Sequence, residues 1–473
     1  MTDDRANRCP ASCPKVQRRR FFGQVSALPR ILGSVIQYVH DMARVVVAAS
    51  PATGHFTPMR AIAADLVQRG HDVTVTSGSQ FRASAEAVGA RFVPLLGAAD
   101  FDGDDEETNF PEILAIPPGL ERLGFGLRNT FIRPMLDQHR TVQALLSEVD
   151  GEPVVLVHEL AFVGAWPVLF GAPGIRPTAV IGVGVAPLAL SSEDTAPFGM
   201  SLPPDSSPEG KARNRAANEA IRRVFAETQE YLEEVLAATG ATKKPPFVLD
   251  SMTVVPDTFL QLSIESMDYP RSDLPESIRY IGALPVTDDR ERRFPEWWQD
   301  VLDARKVVVV TQGTVANHDL TELVQPTLDA LADSDVLVVA ALGREAILER
   351  VPSNVRVAAF IPFGTLLPHA DLLVSNGGFG GVQQALSMGV PLVLAGLTED
   401  KMEVNARAGW AGAAINLATQ RPDPADIAKA VTTVLTDESY RRRAAALADE
   451  YAQHNPFDTI EQTILDQLDR RGS

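Results

Sequence analysis

Cysteine is almost absent from this chain of 473 residues: the only two, Cys9 and Cys13, stand close to the amino terminus. No disulfide framework holds such a fold, and the expected setting is a reducing cytoplasm. A C-x-x-x-C pair by itself does not make a metal site, and the segment reads as part of an unstructured extension. Long apolar runs are missing too. The most apolar region, Val154 to Leu190, is broken by His158, Glu159, Arg176 and several prolines and glycines, so no integral membrane segment is expected and the stretch reads as buried strands and turns. Residues 1–41 contain the basic cluster Arg18, Arg19 and Arg20 but no apolar core of a secretion signal; Met42, which leads directly into ARVVVAAS, is the expected start. Positive charge is scarce: 43 Lys and Arg against 61 Asp and Glu leave a net charge of −18. With no basic patch near a candidate site, neither nucleic acid nor an anionic lipid surface is an expected partner.

Several phosphate, metal and hydrolase motifs are absent by letter. G-x-x-x-x-G-K-[ST] does not occur, and the dinucleotide fingerprint fails because Gly378 and Gly380 are followed by Gln383 where a third glycine belongs. An EF-hand loop beginning at Asp100 needs Glu at the position held by Pro111, so the acidic run DFDGDDEE reads as a solvated loop. His158 opens HELAF rather than H-E-x-x-H, and there is no G-x-S-x-G elbow.

What the chain does contain is alternation. Short apolar runs (ARVVVAAS, DVTVTS, RFVPL, VVLVH) are spaced by helical patterns, and a second series follows a charged connector after Asp288: KVVVVT, DVLVVAA, RVAAF, DLLVS and PLVLA. This is the pattern of β-α units around parallel sheets, and the length calls for two of them. After the first strand, PATGHFT reads as a loop before a helix in which Pro58 suits the first turn and Gly70 the cap. Leu120 to Val149 reads as helical, Ser191 to Pro208 as a mobile loop, and Glu209 to Thr239 as a charged helix. Four glycines crowd the turn between DLLVS and the helical GGVQQALSM. A strand-to-helix turn aims free N–H groups and the positive end of the helix dipole outward, and glycine removes the Cβ atoms that would keep an anion away. Such glycines also allow a close strand-helix crossing, so an anion site and a packing role both remain open.

The stretch from Phe360 to Leu417 resembles the donor-binding signature of the inverting, nucleotide-sugar-dependent glycosyltransferases of family one. ASPATGHFTPMRAIAADLVQRGHDVTV resembles the opening of their acceptor domain, and the likeness covers about residues 42 to 460. It implies an α/β protein of GT-B fold, two Rossmann-like doubly wound domains facing across a cleft. On that reading residues 1–41 are an extension, 42–285 the acceptor-binding domain, 286–455 the donor-binding domain, and 456–473 a carboxyl-terminal helix able to pack back on the first domain.

The resemblance also assigns residues. His55 matches the general base of the G-H-x-x-P loop; read alone, the same histidine could cap a helix from Thr57 to Gln68. Glu159 stands where most relatives carry the Asp that orients this base, and His158 should then face the other side of the strand. His71 matches a structural position. For the donor, TQGT brings Gly313 and Thr314 toward the diphosphate. Phe360 stands in the place of the aromatic that stacks on the base, or else packs into the core, and the Ile361 backbone reads the base edge. Asn376, Gly377, Gly378, Gly380 and Gly381 form the phosphate turn, Gln384 holds the ribose, and Asp400 with Lys401 binds the transferred sugar, Asn405 following at the matching offset. Three departures stand out. Relatives commonly read H-G-G-x-G-S, whereas here Asn376 replaces the histidine and Gly381 the hydroxyl residue, and Lys401 stands where Gln is usual. Lys401 could restore the cation that Asn376 lacks.

The implied activity is transfer of a sugar from a nucleotide-diphosphate sugar, such as a UDP-sugar, to a hydroxyl of a lipophilic small molecule, with no metal or other cofactor. Phe, Leu, Ile and Pro in the segments Phe110 to Phe131 and Val185 to Pro204 could line an apolar acceptor pocket, or be ordinary core. Two other readings share these residues: a sugar-nucleotide epimerase or hydrolase of the same architecture, and a non-catalytic nucleotide-sugar binding protein.

Overall fold

Runs such as RVVVA and VVVVT, apolar at every position, are stable as strands only when both faces are covered, which is the situation of a parallel sheet between helices. The computed structural model describes residues 42–117, 119–285, 294–313 and 317–472, and these form two such sheets. The first holds β1 (Arg44–Ala48), β2 (Asp72–Ser77), β3 (Arg91–Pro94), β4 (Val155–Glu159), β5 (Ala179–Gly184), β6 (Thr258–Gln261) and β7 (Ile278–Tyr280) in the order β3-β2-β1-β4-β5-β6-β7. The second holds β8 (Val307–Thr311), β9 (Leu337–Ala341), β10 (Val355–Ala358), β11 (Leu372–Ser375), β12 (Leu392–Leu394) and β13 (Ala414–Asn416) in the order β10-β9-β8-β11-β12-β13. Every pairing is parallel. The strand order therefore reverses between β1 and β4 in one sheet and between β8 and β11 in the other. Those are the two places where an open α/β sheet leaves a crevice at its carboxyl edge.

The alternation along β4 is decisive for the site. Val155 and Val157 join the apolar cluster under the Thr53–Gln68 helix, while Leu156 and Phe162 belong to the cluster on the opposite face, where the His158 ring meets Phe162. Glu159 at the strand end thus returns to the Thr53–Gln68 side. The terminal helix Pro456–Gly472 lies along the first half: Arg69 donates to Asp458 at 2.7 Å and Glu461 at 2.5 Å, and Arg279 donates to Thr463 at 2.6 Å. His71 is tied there as well, its Nδ1 accepting from the Ala43 amide and its Nε2 lying 3.1 Å from Glu461. Among the described residues no helix is long and apolar enough to cross a membrane.

Three local expectations need correction. The segment from Leu120 to Val149 is not one helix: it runs as Leu120–Gly126, a π-helical stretch Leu127–Ile132, and Met135–Ser147, with Pro134, which has no N–H to give, at the break. The charged helix likewise divides at Phe225, which is buried among Leu232, Leu236 and Phe247. Nor is Ser191 to Pro208 loose. Asp194 accepts both the amide and the hydroxyl of Ser272 at 2.6 Å, and Ser192 and Thr195 are buried.

Candidate active site

The first helix begins earlier than its sequence suggests, at Thr53 rather than after the PATGHFT loop. Its N-cap, Ala52, offers no side-chain acceptor; the acceptor arrives instead from the acidic loop, where the Asp104 carboxylate takes the Thr53 N–H at 2.8 Å and the Thr53 hydroxyl. A carboxylate at a helix N-terminus satisfies an orphan donor and complements the dipole. The run DFDGDDEE is therefore not simply solvated: Gly103 donates to the Pro51 carbonyl at 2.9 Å and Asp100 accepts the Ser79 amide at 2.7 Å, folding the loop over the start of the helix. His55 is then the third residue of the helix, inside its first turn, and does not cap it.

At that position the His55 ring reaches Glu159: Nδ1 lies 2.7 Å from Oε2. Glu159 is fully buried, and its two oxygens also accept the Ser50 amide at 3.0 Å and the Ala161 amide at 2.7 Å. Burial works against the carboxylate charge, yet the His55 charge, their hydrogen bond and the two amides overcome it and hold Glu159 down at about 2. For His55 burial again opposes the charged form, but Glu159 outweighs it, with smaller help from Asp400 and Asp104, and the ring is raised above its ordinary value. The imidazole keeps 23 % of its exposure and its ring lies 5.4 Å from that of Phe131. With Nδ1 engaged by the carboxylate, Nε2 is the nitrogen left to meet a substrate.

On the second sheet the glycines separate into two kinds. Gly377 has φ +92° and a Cβ there would fall 1.8 Å from Asn405 Oδ1, so backbone conformation and packing already require its glycine. Gly378 and Gly380 have nothing within 4 Å of where a Cβ would stand, and Gly381 only Phe363 at 3.8 Å. Packing does not explain those three. They open the helix Phe379–Ser387, whose first intrahelical bond runs from Val382 to Gly378, so the N–H groups of Phe379, Gly380 and Gly381 have no acceptor in the helix.

Asn376 is buried and clasps the neighbouring loop, donating from Nδ2 to the Gln312 carbonyl at 2.6 Å while its Oδ1 lacks a partner. Gly313, with φ +74°, stands 3.8 Å from that Oδ1 by its missing Cβ and gives its N–H to Thr311 Oγ1. Thr314 lies outside the described residues. Phe360 is 49 % exposed just beyond β10, which rules out core packing, while the Ile361 side chain is buried. Gln384 is half-buried on the Phe379–Ser387 helix. Asp400 is the N-cap residue of the helix Lys401–Trp410 and follows Glu399, a non-glycine residue held at φ +52°. Burial raises the Asp400 carboxyl to about 6, against the pull of its own backbone and of His55 and Arg407; through His55 the two carboxyl edges of the sheets feel each other's charge. Lys401 is buried, its Nζ against Glu399 and 3.4 Å from Thr398 Oγ1, and burial lowers it to about 8. Asn405 donates to the Gly396 carbonyl at 3.2 Å.

Asp104 and Glu403 are the polar residues in this region that sequence reasoning missed. Glu403 is buried beside Arg407, four residues on, and a Glu and Arg at that spacing look from sequence like an exposed helix pair. Nothing in the spacing of Asp104 from Thr53 points to their contact. Among the described residues no group of three or more His, Cys, Asp or Glu could hold a metal ion.

The chain is similar to known glycosyltransferases in sequence and in fold. Residues 325–465 match the family described as erythromycin biosynthesis protein CIII-like, C-terminal domain. The chain is 47 % identical to UDP-glycosyltransferase 2 of Phaeomoniella chlamydospora over 90 % of its own length and 95 % of that protein. It is 41 % identical to 4'-demethylrebeccamycin synthase of Lentzea aerocolonigenes, over 87 % and 96 %. Among solved structures it resembles the glycotransferase of kitacinnamycin, with a TM-score of 0.67 at 20 % identity over 90 % of this chain and 99 % of that one. The spinosyn rhamnosyltransferase complexed with thymidine diphosphate has a TM-score of 0.62 at 18 % identity over 89 % and 99 %.

Proposed function

The chain belongs to the family-one glycosyltransferases of GT-B fold and is a glycosyltransferase enzyme, and from that premise we propose that it moves a sugar from a UDP-sugar to a hydroxyl of a lipophilic small molecule, with inversion. Relatives named UDP-glycosyltransferases support the donor. The observation that carries the reading is the His55–Glu159 pair at one switch point, in electrostatic reach of Asp400 on the other sheet.

In the proposed reaction the acceptor oxygen gives its proton to His55 Nε2 as it attacks the anomeric carbon. Glu159, fixed by the Ser50 and Ala161 amides, keeps the proton on Nδ1 beforehand and stabilises the imidazolium afterwards. The bond from the anomeric carbon to the diphosphate breaks on the opposite face, and the leaving oxygens meet the N–H groups that open the Phe379–Ser387 helix, where Gly378, Gly380 and Gly381 leave room. That positive end does the work an ion does elsewhere, so the mechanism calls for no metal. We assign residues 42–285 to the acceptor and the second sheet to the donor, with Phe360 against the base, Gln384 toward the ribose, and Asp400 and Lys401 toward the sugar. An apolar acceptor is favoured by Phe131 beside His55 and by the edge-to-face rings Phe101, Phe110 and Phe125.

The test is a panel of nucleotide sugars incubated with and without hydrophobic alcohols and phenols, read by mass and by the anomeric coupling of the product. A glycoside of inverted configuration is expected. Conversion of the UDP-sugar that proceeds equally well without any acceptor would overturn the reading. The relatives give the epimerase, hydrolase and non-catalytic alternatives no support.

A further inference from the structure

One buried carboxylate has no part in the chemistry above. Glu403 stands one turn after Asp400 in the Lys401–Trp410 helix and is 2 % exposed. Its Oε1 accepts the backbone N–H groups of Gly199 and Ser201, each at 2.8 Å, from a loop of the first half 204 and 202 residues earlier. The Ser201 hydroxyl donates to the Met402 carbonyl at 3.2 Å and lies 3.5 Å from the same Oε1. On the other side Oε2 is paired with Arg407, whose Nε donates to Asp268 of the first half at 2.7 Å. Asp268 is held in turn by Arg271 at 3.0 Å and by the Tyr280 hydroxyl at 2.7 Å.

The loop is shaped around this carboxylate. Gly199 has φ +92° and Ser201 φ +52°, a left-handed conformation that a serine adopts only under constraint, and together they turn two amides toward one oxygen. Behind those amides Phe198 packs against the same buried apolar cluster as Phe131, and a Cβ on Gly199 would meet Leu120 at 2.5 Å. Phe131 is the ring beside His55. A continuous run of contacts thus leads from the helix that begins at Asp400 and Lys401, through Glu403, to the wall of the first half that faces the base.

We propose that Glu403 is a positioning residue for transfer, bridging the sugar-facing start of its helix and the acceptor-side loop at Gly199 and Ser201 so that the two halves close as one body. The proposal rests on the glycosyl-transfer reading and adds to it how donor and acceptor are held in register. Two backbone amides of the first half hold one carboxylate oxygen and Arg407 of its own helix holds the other, so the site is complete only when the halves meet. When the halves part, the carboxylate keeps Arg407 but loses the two amides at Oε1 to water; closure forms those two charge-assisted bonds, and the bridge therefore favours it.

The test uses Glu403→Gln, which keeps the shape, loses the charge, and turns an amide N–H toward Arg407 or toward the loop. Hydrogen exchange of the peptide covering 198–202 should speed up about tenfold. The acceptor KM should rise about tenfold, the size of a typical coupling between sites, while the Kd for UDP stays unchanged and a larger share of donor is lost to water. A residue that served stability alone would lower the melting temperature and leave the acceptor KM and the transfer-to-hydrolysis ratio where they were. If the single variant does not fold, Glu403→Gln with Arg407→Met, neutral on both sides, takes the same measurements. A folded variant with wild-type protection at 198–202 and a wild-type acceptor KM overturns the bridge. The exchange readout needs no turnover, so a wild-type chain that transfers nothing counts against the function and leaves the bridge decided by exchange.

Discussion

Replacing Glu159 by Gln probes the site at its most constrained point. The carboxylate oxygens accept three hydrogen bonds, from Ser50 N, Ala161 N and the His55 ring. A carboxamide has one accepting oxygen. If that oxygen faces Ser50, the NH2 group confronts the Ala161 amide and donates to His55 Nδ1, which moves the ring proton to Nε2 and leaves no base toward the acceptor. If it faces Ala161 and His55, the tautomer survives but the Ser50 amide is opposed by a donor and the imidazolium loses its counter-charge. The native environment pulls Glu159 from its ordinary 4.5 to about 2, a preference for the charged form of about 3 kcal/mol. Most of that preference comes from His55 and is the stabilisation the imidazolium would forfeit in the transition state, so kcat should fall roughly 10²- to 10³-fold. The pH profile gives a second, independent sign. Glu159 is the main reason His55 is raised; without it burial dominates, the ring gives up its proton more easily, and the acid limb of kcat moves to lower pH. Steady-state rates across pH, with UDP affinity as a control on the other sheet, test both. A variant within a fewfold of wild type, or an acid limb that stays put, refutes the assignment.

Two further perturbations separate ligand binding from packing. Gly378→Ala and Gly380→Ala add a Cβ into open space and should leave the melting temperature unchanged while raising the donor KM, whereas Gly377→Ala collides with Asn405 and should destabilise the fold as well; equal effects at all three positions would return the glycines to a packing role. Asp104→Asn keeps one acceptor for Thr53 but removes the charge at the helix start, so unfolding experiments should register a loss of about 0.5 kcal/mol and the acid limb should move slightly down, since Asp104 is a lesser contributor to the raised His55.

Short-range order was legible in the sequence. Valine runs marked the strands and the glycines marked the turn after β11, while His55 after β1 and Glu159 at the end of β4 were picked out by the resemblance to the glycosyltransferases. What escaped depends on contacts that spacing does not encode. Asp104 lies 51 residues from Thr53 in sequence, and only the folded loop shows that the acidic run supplies the cap Ala52 cannot. Ser191 to Pro208 looked mobile because its Ser, Pro and Asp content suits solvent, yet its polar groups are spent on Asp194–Ser272 and on Glu403. Phe360 and Ile361 divide the same way: both are apolar letters, and burial alone tells which one is left at the surface.

The substitution of Asn376 for the histidine usual in relatives raises a question of charge, and Lys401 is the cation to test. Asn376 is neutral, and its Nδ2 is engaged with Gln312. The Lys401 stem runs past the same turn: a Cβ on Gly396 would lie 3.3 Å from Lys401 Cδ and 2.2 Å from the Asn376 carbonyl oxygen. Burial lowers the Lys401 ammonium to about 8, so it is charged below that pH and neutral above it, with Glu322 working the other way. A bound diphosphate favours the charged form and pulls the pKa back up, which means that UDP binding between about pH 8 and 9 should draw a proton from solution. Asp400, raised to about 6, gives a second window between about pH 6 and 7, because a nearby anion raises a carboxyl further. Calorimetric titration of UDP in two buffers of different ionisation heat resolves the windows. Lys401→Met should abolish the upper one, spare the lower one, and raise the donor KM at pH 7 toward the value the wild type reaches above pH 8. If proton uptake in the upper window persists without the lysine, or the donor KM does not change, the cation that compensates for Asn376 is not Lys401, and the diphosphate is held by helix N–H groups alone.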